Sequence, residues 1–331
     1  MLMFKQLKGK IKHEYDVFSQ AFVKNILAGY MIYSRIIRQY GKDAKLYLTG
    51  FNNAYSCGLL FNAFCSELPI EELPIFCVCE ENGREEAEIL SIKSIEMLTQ
   101  DEMGDLYCLF MFADKRRLIL LNHNILNYLF INSNIYGYKG LNYINGEWWC
   151  SYPNILINKR QEPTFDYGDT VKIFEEFSLI PGRTVLLTPQ IKEVIPVPNW
   201  FWFFLAEALE EKGFIVCTYC ESNDKPIDGT KAVTFSLKKA VPFVEMAGTT
   251  IGNRNAFQDV TESAKCLKIA IYYDFVENFK PSLTSNIKDF FTLTVYNEQD
   301  QYEFEYTRRG EVALIDKLVK MVISYSEGQG A

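Results

Sequence analysis

Residues 229 to 273 read GTKAVTFSLKKAVPFVEMAGTTIGNRNAFQDVTESAKCLKIAIYY, and this run decides the fold. Leu237–Ala247 carries apolar residues at helical spacing and stops at Gly248, where a left-handed closing residue favours glycine. Thr249–Gly252 reads as a short strand, Ala256–Ala264 as a helix and Lys268–Tyr273 as an apolar strand. Strands and helices alternating at this spacing make βαβ units on a parallel sheet. In such a sheet ligands bind outside the carboxyl ends of the strands. Ile251-Gly252-Asn253-Arg254 is therefore expected at a binding edge. There Gly252 would let the backbone approach a ligand, while Asn253 and Arg254 would point into the cleft. Amides opening the next helix would face an anion. Arg254 suits a diphosphate because its fork donates two parallel hydrogen bonds; a surface ion pair with Asp259 or Glu262 is its alternative.

The same rhythm extends outward. Gly182-Arg183 precedes a strand at Thr184–Thr188, and a loop with Pro189, Pro196 and Pro198 leads into a helix, Trp200–Lys212, stopped by Gly213. Phe214–Tyr219 is a strand, Ile227–Thr230 a turn, and Glu311–Ser324 a terminal amphipathic helix. In the first half, residues 17–40 and Ala54–Glu67 read as helices. Lys45–Gly50 and Pro74–Val78 read as strands, and Glu80–Leu90 as a polar helix. Tyr107–Phe112 and Leu118–Asn122 are apolar runs of strand length. Residues 131–169, rich in Asn, Tyr and Gly, break the rhythm and hold the expected boundary between domains at 1–165 and 166–331.

The segment Glu245-Met246-Ala247-Gly248-Thr249-Thr250-Ile251-Gly252-Asn253-Arg254-Asn255-Ala256-Phe257-Gln258-Asp259 resembles the nucleotide-sugar site of GT-B glycosyltransferases. The likeness is to the heptosyltransferase-like and bacterial fucosyltransferase-like branches, where a helix, Glu, small residue and Gly precede Ile-Gly-x-Arg-Ser-Gly and a later Asp. Asn255-Ala256 stands here where that pattern has Ser-Gly. Upstream, Trp200, Leu205, Ala208-Leu209 and Lys212-Gly213-Phe214-Ile215-Val216 resemble the same group's unit of helix, Lys-Gly-aromatic and strand. The resemblance covers residues 182–274. It implies an α/β fold of two Rossmann-like lobes whose parallel sheets face an interdomain cleft, the nucleotide-sugar bound to the second lobe and the acceptor to the first.

Composition sets limits on that expectation. The chain carries 34 Lys and Arg against 42 Asp and Glu, a net charge of −8, which argues against a general nucleic-acid binder. No GxGxxG, GxxxxGK[ST] or GxSxG motif is present, which weakens NAD enzymes, P-loop NTPases and α/β-hydrolases together. No long apolar stretch follows the first lysines, so neither a signal peptide nor a spanning helix is expected, and the protein is expected in the cytoplasm or at the inner face of the membrane. Cys217-x-x-Cys220 could hold a metal, but without a second pair, and with only His13 and His123 as histidines, it reads first as buried thiols.

Within this frame the candidate donor residues are Gly252, Asn253, Arg254, Asn255, Asp259, Glu245, Gly229 and Thr230. Glu245 stands at a helix end where the macrodipole disfavours an acid, which suits a role as a ribose hydroxyl acceptor. Asp259 is alternatively a first-turn helix acid, and Asp228-Gly229-Thr230 a turn before it is a nucleotide contact. His123 follows the apolar run 118–121 and is the candidate base that takes the acceptor proton; Glu80 and Glu81 are rivals. The run Trp200–Phe204 reads as core, with an acceptor platform as its alternative. Metal is not required, since no DxD stands at a strand end: Asp114-Lys115 and Asn223-Asp224 do not make one. No cofactor is expected beyond the nucleotide-sugar substrate. Lys5, Lys8, Lys10 and Lys12 read as a solvated tail, with an anionic membrane surface or a phosphate-bearing lipid acceptor as the alternative. The expected activity is transfer of a sugar from a nucleotide donor to a surface glycan or glycolipid. A non-catalytic nucleotide- or partner-binding member of the same fold is the alternative.

Overall fold

Among the described residues of the computed structural model, ten strands build two all-parallel sheets, most of them separated in the chain by helices. The structure describes residues 23–49, 54, 57–58, 61–62, 73–110, 117–121, 164–190, 196–221, 224–253, 255–261, 263–273 and 300–328. Among these, residues 23–121 belong to one compact unit and 164–328 to another.

The first unit opens with a helix over residues 23–40, here α1. Its strands are β1 (Ala44–Leu48), β2 (Leu73–Cys79), β3 (Ile95–Leu98) and β4 (Leu118–Leu120), in the order β3-β2-β1-β4. Strands fully buried on both faces need near-continuous apolar runs, and β2 ends Ile75-Phe76-Cys77-Val78-Cys79 with every side chain buried. Helix α2 (Glu80–Ile89) follows β2, and α3 (Gln100–Phe110) follows β3. The core joins Ile36 of α1 to Leu46, Leu48, Ile75 and Cys77 of the sheet and to Met103 and Leu106 of α3. At the α1–α3 crossing, a Cβ on Gly29 would lie 2.2 Å from the carbonyl oxygen of Asp105, so only glycine permits that approach.

The run Tyr107–Phe112, expected as a strand, is helical through Phe110. Its start is a capping box, in which the Thr99 hydroxyl accepts from the Glu102 amide at 3.1 Å and the Glu102 carboxylate accepts from the Thr99 amide at 3.0 Å. The strand that follows α2 is instead β3, whose half-buried Ile95 and Met97 alternate with buried Glu96 and Leu98. The expected helix Ala54–Glu67 is helical at all five of its described positions, 54, 57, 58, 61 and 62.

The second unit holds α4 (Thr170–Glu176), β5 (Thr184–Thr188), α5 (Asn199–Glu210), β6 (Ile215–Tyr219), β7 (Lys231–Val233), α6 (Ala240–Ala247), β8 (Gly248–Asn253), α7 (Ala256–Val260), β9 (Leu267–Tyr273), β10 (Gln301–Tyr306) and α8 (Glu311–Gly328). Its sheet runs β10-β9-β8-β5-β6-β7. Counted within the unit from β7, that is the order 3-2-1-4-5-6 of dinucleotide-binding folds. Helices α5 and α8 pack together over one face of the sheet, where Phe201, Leu205, Leu318 and Val322 meet Val185, Leu187 and Ile269. The aromatic run of α5 splits as its helical period requires: Phe201 and Trp202 are wholly buried, while Trp200 and Phe204 are each 49% exposed. The described residues between β6 and β7, 220–221 and 224–230, include no helix, and the strands β7 and β10 add edges that the sequence reading did not include.

Candidate functional site

The strand order reverses between β5 and β8, and their carboxyl ends therefore frame the crevice where this architecture binds ligands. Thr188, the last residue of β5, is paired with Gly252 of β8. The glycine is dictated by this junction. A Cβ there would sit 1.7 Å from Thr188 Oγ1, 2.7 Å from the Thr188 carbonyl and 2.9 Å from Gln258 Nε2. The space that Gly252 was expected to leave for a ligand is filled by the protein itself. Thr188 and Gln258, both buried, join through a 3.3 Å bond from Gln258 Nε2 to Thr188 Oγ1.

Asn253 is likewise turned inward rather than into a cleft. It is only 2% exposed. Its amide donates to the Pro189 carbonyl, and its oxygen accepts from the Val197 amide at 3.3 Å. The Val197 carbonyl in turn accepts from the Trp202 indole at 3.2 Å. Asn253 thus ties together the two ends of the β5–α5 connection. Asn255 does similar work one step on. Its amide donates to the carbonyls of Gln190 at 2.9 Å and Thr188 at 3.3 Å, and its oxygen caps α7 by accepting from the Gln258 amide at 3.2 Å. The expected anion-facing amides of that helix therefore include one already held by Asn255. Asp259 is the fourth residue of α7. Arg254 lies outside the described residues.

Three candidate donor residues stand at the other edge. Glu245 is in the last turn of α6, just before β8 begins at Gly248, while Gly252 and Asn253 end that strand. At about 3.3 Å per residue the strand separates these positions by roughly 15 Å. Glu245 there accepts from the Lys265 amide at 2.9 Å and from the Tyr167 hydroxyl. Burial, followed by Glu245 itself, raises the Tyr167 hydroxyl above its ordinary value. Gly229 and Thr230 precede β7 and so lie at the amino edge of a parallel sheet. The Thr230 hydroxyl is 2.6 Å from that of Thr218 and donates to the Ile227 carbonyl at 2.8 Å, closing the turn. Parallel pairing thus sets Glu245, Gly229 and Thr230 at the opposite edge of the sheet from Gly252, Asn253 and Asn255.

In the first unit the order reverses between β1 and β4. His123 stands two positions beyond Leu121, immediately past β4, and lies outside the described residues. Glu80 and Glu81 open α2 beyond β2, which is one strand away from that reversal. Among the described residues no group of three or more His, Cys, Asp or Glu is placed to hold a metal. Cys217 and Cys220 are buried free thiols that donate to the carbonyls of Val185 and Thr218, and burial raises both.

A cluster that the sequence reading missed sits beside this edge. Glu311, at the start of α8, accepts from the Trp200 indole at 2.9 Å and from the Tyr306 hydroxyl at 2.7 Å. Burial, then the Glu311 bond, raises the Tyr306 hydroxyl well above its ordinary range. Trp200 lies 111 positions from Glu311 in the chain, so no local pattern announces that contact.

Two solved glycosyltransferase structures share this fold. Heptosyltransferase II of Escherichia coli, described as an ADP-heptose LPS heptosyltransferase, superposes with a TM-score of 0.53 at 12% identity, covering 87% of this chain and 100% of that one. A family 9 glycosyl transferase from Veillonella parvula gives 0.50 at 10% identity, covering 86% and 97%. No protein-family model and no curated protein sequence matches the chain.

Proposed function

We propose that the protein is a metal-independent glycosyltransferase that moves a sugar from a nucleotide-sugar donor to a surface glycan or glycolipid acceptor. The observation that carries the reading is the fold likeness to heptosyltransferase II over 87% of this chain, together with this chain's own reversal point at Thr188 and Gly252 in its second sheet. In this proposal the donor diphosphate lies over the carboxyl ends of β5 and β8 and is gripped by Arg254, with Asp259 nearby. Gly252, Asn253 and Asn255 serve that site by fixing the backbone beneath it. A developing diphosphate leaving group is then stabilised by fixed donors rather than a metal. His123, next in chain to the strand at the first sheet's reversal point, takes the acceptor proton.

The named donor of heptosyltransferase II makes ADP-linked sugars the first to test. Thermal shifts with ADP, UDP, GDP and CMP identify the nucleotide, and release of nucleoside diphosphate from the matching sugar donors then tests transfer. A shift with one nucleotide followed by release supports the proposal. No shift with any of the four overturns the donor site. A shift without release for any donor favours a nucleotide-binding protein without catalysis, a reading suited to the engaged side chains of Asn253 and Asn255.

A further inference from the structure

We infer that the outer face of α1 docks the protein on an anionic lipid surface. Val23, Leu27, Tyr30 and Met31 are 53%, 61%, 60% and 72% exposed, unusual values for four apolar residues of one helix. At 3.6 residues per turn they fall within an arc of roughly 100° and run about 12 Å along the axis. The opposite face is spoken for: Ile36 is wholly buried and Gly29 lies against Asp105.

Charge states what the face is suited to meet. Residues 23–40 contain Lys24, Arg35 and Arg38 and no acidic residue. The residues leading into α1 add Lys5, Lys8, Lys10 and Lys12, so positions 1–40 hold seven Lys or Arg against Glu14 and Asp16, in a chain of net charge −8. Arg35, itself exposed, pairs with Glu96 and Glu102; Lys24, in electrostatic reach of Asp105, and Arg38 are also exposed on the helix. An apolar stripe rimmed by cations is the pattern of a helix lying in a lipid interface, its apolar side chains among the acyl chains and its cations at anionic headgroups. Tyr30 fits that boundary with an apolar ring and a polar tip.

The test uses the full chain with vesicles of phosphatidylcholine alone and of equimolar phosphatidylcholine and phosphatidylglycerol, read by co-sedimentation. The protein should pellet with the anionic vesicles, stay in solution with the neutral ones, and be released at about 0.5 M salt, where the screening length is only a few ångströms. Leu27→Glu with Met31→Glu should lower the bound fraction about tenfold, since interfacial binding scales with the apolar area buried. Both side chains are exposed, so the melting temperature should not move. The inference is overturned by failure to bind anionic vesicles, by equal binding to neutral ones, or by a double variant that binds like the parent. It is also overturned if sedimentation equilibrium shows a parent dimer that the double variant dissociates, because a second copy then occupies the face.

Discussion

Gly252 shows how a single hydrogen in place of a side chain can set a junction. The alanine methyl at that position would meet a β-branched side chain and a backbone carbonyl in the adjacent strand, neither able to retreat. Gly252→Ala should therefore lower unfolding stability by about 1–3 kcal/mol, the usual range for overpacking, measured as the urea midpoint. Thr188→Ala in the same chain removes the nearest atom and should recover part of the loss, a coupling expected of touching residues; an unaltered Gly252→Ala midpoint contradicts the packing account. Arg254→Ala should leave that midpoint alone and weaken nucleotide binding by about 1.5–3 kcal/mol, the size of a hydrogen bond to a charged group. Equal binding by calorimetry would remove Arg254 from the donor site. His123→Ala should lower turnover by about 10²–10⁴-fold with donor affinity unchanged. A parental rate returns the base role to Glu80, Glu81 or another group.

At the scale of elements, α3 joins sequence, capping and charge. Burial would by itself raise the Glu102 carboxyl, but the Thr99 amide and Arg35 outweigh it and hold it below its ordinary value of 4.5. An acid with a lowered value in the folded state adds stability above its unfolded value. That stability is lost as the pH falls from about 4.5 through the folded value. The first unit should therefore lose stability in acid, and Glu102→Gln should remove that part of the slope, as urea midpoints between neutral pH and pH 3 will show; parallel slopes would place the acid sensitivity elsewhere. The same helix shows what the sequence made legible. Thr99-Gln100-Asp101-Glu102 carries a capping-box pattern that the sequence reading passed over, and the apolar run Tyr107–Phe112 reads as a strand because a short apolar run fits either period. Helices α5 and α6 were legible, since glycines mark both helix stops, Gly213 and Gly248, and both adopt positive φ, +83° and +94°, whereas β7 was missed and the helix expected over Ala256–Ala264 is α7, Ala256–Val260. The orientation of Asn253 was not, because its partners Pro189 and Val197 come from a loop more than fifty positions earlier. The amino-edge placement of Glu245, Gly229 and Thr230 likewise follows from strand pairing, which no local pattern encodes.

At the scale of the molecule, a donor that binds only the folded chain must stabilise it. A matching nucleoside diphosphate at one hundred times its dissociation constant should add about 2.7 kcal/mol to unfolding. Hydrogen exchange should slow at residues 188–190 and 252–258 and stay unchanged across β3 and α2; slowing confined to the first unit would place the nucleotide there instead. The tie made by Asn253 carries a last consequence, for descent and for engineering rather than for binding. Because Pro189 and Val197 are held to one side chain at the base of the β5–α5 connection, the chain between them can be lengthened or exchanged while the sheet stays in register. Doubling the length of a loop with closed ends adds only about 0.6 kcal/mol of entropy. Relatives should therefore diverge in size at this connection before any other on that edge, and it is the natural place to graft a foreign sequence.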